Sequence, residues 1–159
     1  MPHLQFELSF TPPREAKRAF ASAVVSHFAT IMDTGTDHIA VTLRCFGPDD
    51  LTFGRAVEPT KGIAFLNADI RLGRTRDQKR RFSLAVIDEL GIRFGVPKES
   101  VYVILTEHDG EHFQLSDRVL PSWTTGEDPL ADPAPRALRK GSGKRAKGKR
   151  PAPKQRRGR

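Results

Sequence analysis

The chain has 159 residues, enough for one domain or one domain with a tail, and 27 Lys and Arg stand against 19 Asp and Glu, a net charge of +8. Twelve of the basic residues and no acid fall between Arg136 and Arg159, so residues 1–135 hold 15 basic and 19 acidic side chains; the pI of 10.1 belongs to the tail, and a basic nucleic-acid-binding fold is excluded for the rest. The single Cys45 excludes an intrachain disulfide and a zinc site built from cysteines alone, no apolar run nears the roughly 20 residues of a membrane helix, and the start MPHLQFELSF lacks a signal-peptide pattern. A soluble, reduced, cytoplasmic protein is expected.

Residues 3–9 read as the first strand, because Leu4, Phe6 and Leu8 alternate with Gln5 and Glu7. Thr11 is the expected cap of a helix that opens on Pro12 and runs to about Met32. Ala16, Phe20, Ala23, Val24, His27, Phe28 and Ile31 give that helix one apolar stripe at 3–4 spacing. A turn at 33–37 (DTGTD) leads to a second strand at 38–46 (HIAVTLRCF). Residues 47–60 form a loop with room for a short strand at 51–53. The order then repeats: a strand at 62–72 (GIAFLNADIRL), a helix opened by the capping box of Thr75 and Gln78, and a strand at 101–106 (VYVILT). Phe82, Val86, Ile87, Leu90 and Phe94 make the second helical stripe, and Gly95-Val96-Pro97 ends it. A further short strand is expected at 113–115.

The pattern is β-α-β followed by β-α-β, with a half-repeat near 63 residues. Each helix is long enough for a right-handed parallel crossover. The fold class is α/β (α+β): a four-stranded sheet with both helices on one face. The strands carry apolar residues on more than one side, so the bare face is expected to be buried by oligomerisation; the alternative is a ferredoxin-like monomer with a wet face. From Pro121 onward Pro, Gly, Ser, Lys and Arg dominate, and nothing after Leu138 is an aliphatic larger than alanine. A core domain at 1–121 and a disordered basic tail at 122–159 are expected.

Pro2 follows the initiator methionine, which is commonly removed before a small residue, leaving a free secondary amine. An α-amino group titrates near about 7.7–8.0, and an apolar pocket or nearby cations lower that value. A neutral prolyl nitrogen can take a proton from a carbon acid or attack a carbonyl; the plainer reading is an incidental Met-Pro start. Arg71 and Arg74 fall at a strand end just before a capped helix N-terminus, where two guanidinium forks can hold a carboxylate. They can equally be two solvated arginines. His27 sits on the first apolar stripe, as core histidines commonly do. Tyr102, the only tyrosine, alternates with Val101 and Val103; its hydroxyl can reach a substrate oxygen at a subunit boundary, or the ring simply packs. Asp69 is expected to pair with a nearby arginine, and His38, His108 and His112 have no metal-ligand spacing.

These positions together resemble the tautomerase superfamily, in its macrophage migration inhibitory factor and cis-3-chloroacrylic acid dehalogenase branches. The resemblance runs over about residues 1–121. It is carried by Met1-Pro2, His38-Ile39-Ala40-Val41, Arg71-x-x-Arg74 with Gly73, Val101-Tyr102-Val103, and Arg118-Val119-Leu120-Pro121. It implies a trimer whose sheets close into a central barrel, Pro2 as catalytic base, Arg71 and Arg74 as the carboxylate-binding pair, and His27 within one residue of the dehalogenase's helix-one histidine. Thr34 stands where the inhibitory-factor branch has a lysine, Ile104 where a pocket Asn or Tyr is seen, and Leu115 where the dehalogenase has its water-activating glutamate. Hydrating dehalogenation therefore lacks its base, whereas keto–enol tautomerisation needs only Pro2 and the clamp.

The expected function is a cofactor-independent tautomerase acting on a 2-oxo or 2-hydroxy-alkenoic carboxylate. Pro2 is its base, and Arg71, Arg74, Tyr102 and His27 bind substrate, with no cofactor and no metal. The expected partners are a small carboxylate and two further copies of the chain. One alternative is a non-enzymatic trimer whose basic tail binds nucleic acid or another polyanion; another is hydratase or decarboxylase chemistry at the same proline.

Overall fold

A computed structural model describes residues 2–127; the expected basic tail beyond 127 lies outside the described residues. The element order is β1 (His3–Leu8), α1 (Arg14–Ile31), β2 (Ala40–Cys45), β3 (Ala64–Arg71), α2 (Arg76–Phe94) and β4 (Val101–His108). The sheet order is β2-β1-β3-β4. β1 pairs parallel with β2, β3 parallel with β4, and the two halves join antiparallel through β1 and β3. Each element of the second half starts 61 or 62 residues after its counterpart, so the repeat is slightly shorter than expected. Among the described residues no helix is long and apolar enough to cross a membrane.

Alternation places the core. Leu4, Phe6 and Leu8 of β1 and Ala64, Leu66, Ala68 and Ile70 of β3 point to the helices and are buried. The helices answer with Phe20, Val24 and Phe28 of α1 and Phe82, Val86 and Leu90 of α2. Phe6 meets Phe20 edge to face at 4.9 Å, and Phe28 meets Phe82 at 5.0 Å. Burial of each such ring contributes about 1.5–3 kcal/mol, so these four rings fix how the helical layer sits on the sheet.

Several local expectations shift. The residue capping α1 is Pro13, not Thr11, and no side chain caps that end. α2 starts on the full reciprocal capping box of Thr75 and Gln78 and stops at Gly95, whose φ of 70° is the left-handed cap that glycine adopts without strain. No strand forms at 51–53, where turns precede a single 3-10 turn at Pro59–Lys61. At 113–115 there is only an isolated bridge from Gln114 to Val119. The packed chain also continues past the expected domain end at 121, because Trp123 is buried against the body.

The sheet face opposite the helices is less apolar than the strand composition suggests. Across it stand the row Thr42–Gln5–Asn67 and the register pairs Arg44–Glu7 and His3–Asp69. Its apolar part is a patch at one end, where Phe53, Phe65 and Tyr102 meet at ring distances of 5.5–5.9 Å beside Ile104. Tyr102 is 47% and Ile104 40% exposed.

Candidate active site at the ends of β1 and β3

Pro2 is buried at the head of β1, its carbonyl accepting from the backbone N–H of Ala40 at 3.1 Å. The register pairs His3 with Asp69, so one step further the antiparallel ladder sets Pro2 beside Ile70 and next to Arg71, the last residue of β3. Two residues on, the chain turns at Gly73 and presents Arg74 directly before the Thr75 cap of α2. A strand end, a tight turn and a capped helix start thus bring Arg71 and Arg74 together. Both are nearly inaccessible, at 2% and 6% exposure.

The two arginines have different partners. Arg71 donates through Nη1 to the Pro121 carbonyl at 2.8 Å and through Nη2 to the Glu127 carboxylate. Arg74 stacks its guanidinium 4.5 Å from the Trp123 ring centre, while its Nε and Nη1 are buried without any acceptor. Burial, followed by repulsion from Arg71, pushes Arg74 down to about 10, so it stays charged at neutral pH.

His38 completes the cluster. It lies just before β2, 5% exposed, with Nε2 3.3 Å from Thr34 Oγ1 and Nδ1 buried and unpartnered. Burial lowers it to about 4, and the positive amino terminus, Arg71 and Arg74 push in the same direction against Glu127. It is therefore a neutral imidazole at physiological pH. The stability consequence has a definite sign. Between pH 6.5 and about 4 the unfolded chain takes up a proton at this position that the folded chain refuses, so the contribution is whole above 6.5 and lost on acidification through that window. Denaturant unfolding of the parent and of His38→Gln at pH 7 and pH 4.5 should show a pH-dependent loss smaller by about 2–3 kcal/mol in the variant. Equal losses would remove His38 from the acid response.

The other expected site residues stand elsewhere in the subunit. His27 lies in the helical layer, Nε2 3.4 Å from Glu89 Oε2 of α2, and does not join the cluster. Tyr102 is at the start of β4, six residues from His108, which is the register partner of Arg71. At about 3.3 Å per residue that puts it roughly 20 Å away, out of reach within one subunit. Asp69 pairs with His108 at 3.0 Å rather than with an arginine, and this pair lines a recess of about 720 Å³ on the open sheet face together with His3 and Phe113. His38 was read from sequence only as the head of the His38-Ile39-Ala40-Val41 stretch and as a histidine without metal-ligand spacing, and two cluster members were not singled out at all: Glu127 and Trp123. The one signal for the second was a lone tryptophan in a segment otherwise reading as tail.

Comparison with known proteins agrees with this architecture. Residues 65–121 match the family model described as tautomerase enzyme. No curated protein sequence matches the chain. Among solved structures, the chain is similar to FG41 malonate semialdehyde decarboxylase inhibited by 3-bromopropiolate, at 22% identity and a TM-score of 0.60, over 71% of this chain and 88% of that one. It is similar to the macrophage migration inhibitory factor of Toxoplasma gondii at 16% identity and a TM-score of 0.64, over 74% and 98% of the two chains. It is also similar to a fused 4-OT solved as a symmetric trimer, at 19% identity and a TM-score of 0.64, over 72% and 92%. At these identities the likeness is one of fold.

Proposed function

We propose that the chain, whose fold is similar to that of tautomerase-superfamily structures and whose residues 65–121 match the tautomerase enzyme model, is a cofactor-independent tautomerase of 2-oxo or 2-hydroxy-alkenoic carboxylates. The observation that carries this reading is the buried Pro2 at the head of β1 beside two buried arginines, one of them with unpartnered donors. With Met1 removed, the prolyl nitrogen takes the enol hydroxyl proton and returns a proton to carbon. The arginine cluster supplies the contact to the substrate carboxylate and stabilises the dienolate charge that develops between the two transfers. Neutral His38 offers the same space a hydrogen bond without adding charge. The direct test is ketonisation of phenylenolpyruvate, followed by its ultraviolet absorbance, alongside the mass of the mature N-terminus. Retained Met1, which turns the Pro2 nitrogen into an amide, would remove the base.

A second reading at the same proline is decarboxylation or hydration, favoured by the likeness to malonate semialdehyde decarboxylase. Release of CO2 from a 3-oxo acid separates it from tautomerisation. If the parent turns over no 2-oxo acid enol, the choice passes to a trimeric binding protein whose twelve tail cations take up nucleic acid or another polyanion, with steep salt dependence.

The assembly follows from the same reading. The patch formed by exposed Tyr102 and Ile104 with half-buried Phe53 and Phe65 is the surface a neighbouring copy would cover, and from a neighbour the Tyr102 hydroxyl can approach the cluster that it cannot reach in its own subunit. Multi-angle light scattering at micromolar concentration should give three times the chain mass. A monomer would exclude both the closed barrel and any role for Tyr102 in substrate binding.

A further inference from the structure

Residues 121–127 lie directly over the arginine pair. Trp123 is anchored from three sides: its Nε1 donates to the Asp33 carbonyl at 3.0 Å, its backbone N–H donates to the Leu72 carbonyl at 3.3 Å, and its ring covers Arg74. Gly126 N–H donates to Asp33 Oδ2 at 2.9 Å, which brings the next residue, Glu127, onto Arg71. The segment has no regular secondary structure, so these few contacts hold it in place.

The charge balance under this cover is unequal. Arg71 is already neutralised by a carboxylate tethered to the same chain, and a free anion would have to displace it at high effective concentration. Arg74 is more than nine-tenths buried, and two of its nitrogens face no acceptor. A desolvated guanidinium with unpaired N–H groups is costly, so the closed arrangement is incomplete until an anion joins it. Of the pair, Arg74 alone has no carboxylate in contact, and Asp33 and Glu107 act on it only from a distance; one carboxylate suffices to balance it, and a dianion would bury an uncompensated negative charge.

We propose that the two arginines divide the work: Arg71, held by Glu127 and the Pro121 carbonyl, is the latch of a lid formed by residues 121–127, and Arg74 beneath Trp123 takes the single carboxylate of a monoanionic substrate. This rests on the reading of the cluster as a carboxylate site and adds its charge selectivity. Glu127 is then the specificity-determining residue, and Arg71 a positioning residue.

Trp123 is the only tryptophan, so its fluorescence reports binding at this site without turnover. The probes are pyruvate, a monoanion, and malonate, a dianion of similar size. The parent should bind pyruvate at least about ten-fold tighter than malonate, and Glu127→Gln, which frees Arg71 for a second carboxylate, should abolish or invert that preference. Arg74→Lys should weaken pyruvate by about ten-fold or more, and Arg71→Lys by clearly less. Thermal unfolding checks that each variant is folded. If Glu127→Gln does not fold, Glu127→Asp retracts the carboxylate and should shift the ratio the same way by a smaller factor. An unchanged pyruvate-to-malonate ratio in a folded Glu127 variant, or an Arg71→Lys loss equal to that of Arg74→Lys, would overturn the proposal. Pyruvate is almost wholly keto at equilibrium and malonate has no enol to ketonise, so neither probe gives net product, and a parent inactive towards enols removes the tautomerase reading and leaves this selectivity intact. An active parent with flat selectivity removes the lid inference alone.

Discussion

Pro2→Ala should lower the rate of phenylenolpyruvate ketonisation by about 10²–10⁴-fold, the usual worth of a positioned general base, while the fold survives. The fold survives because what Pro2 gives to the structure is its carbonyl, which accepts from Ala40, and alanine keeps that acceptor. What changes is the amine. A primary amine at the same place is more mobile and differently tuned, and it no longer has the ring that fixes the nitrogen's direction. The effect should appear in kcat, since the proton transfer is made only in the transition state. Arg74→Ala should chiefly raise KM, because a carboxylate contact acts in the ground state as well. Steady-state kinetics on both variants, with circular dichroism as the folding control, separates these. Full activity in Pro2→Ala would refute the proline mechanism, and an Arg74→Ala loss confined to kcat would refute the carboxylate contact.

The parts of this molecule that could be read from sequence are those fixed by local rules. The alternation of Leu4, Phe6 and Leu8 specifies which side of β1 is buried, and Thr75 with Gln78 specifies where α2 begins. Pro2, Arg71 and Arg74 stood out because a chain start and a strand–turn–helix junction are local features. What escaped depends on long-range packing. In β4 both faces carry apolar residues, so composition could not tell that Val101, Val103 and Leu105 face the core while Tyr102, Ile104 and Thr106 face away. The bare face was expected to be apolar on that account, but β1 and β3 contribute Gln5, Glu7, Asn67 and Asp69 to it. β2 starts at Ala40 and not at His38, because pairing with β1 begins only where His3 is available; before it, Ile39 N–H closes a turn on Thr36. The lid was hidden for the same reason. Glu127 meets Arg71 across 56 residues and Trp123 meets Asp33 across 90, and the composition of the segment between Pro121 and Glu127 offers only its lone tryptophan as a sign of either contact.

Gly73→Ala should lift that lid. Gly73 has a φ of 116°, a conformation that costs an L-residue about 1–3 kcal/mol. Its Cβ would also lie 2.7 Å from the Trp123 carbonyl oxygen and 3.1 Å from the indole ring. The nearer atom belongs to the backbone, so no rotamer change relieves the contact; residues 121–127 must shift as a unit. Gly95→Ala separates the two effects, because Gly95 also has a positive φ, of 70°, but open space around its Cβ position. That control should lose about 1 kcal/mol of stability with the Trp123 emission unchanged. Gly73→Ala should lose more, its emission should move to longer wavelength as the indole leaves Arg74, and pyruvate affinity should fall by about ten-fold as the lid no longer closes over the bound anion. If Gly73→Ala kept both the parent emission and the parent affinity, Trp123 would not be seated on Gly73, and the turn between β3 and α2 would set the position of Arg74 without help from the lid.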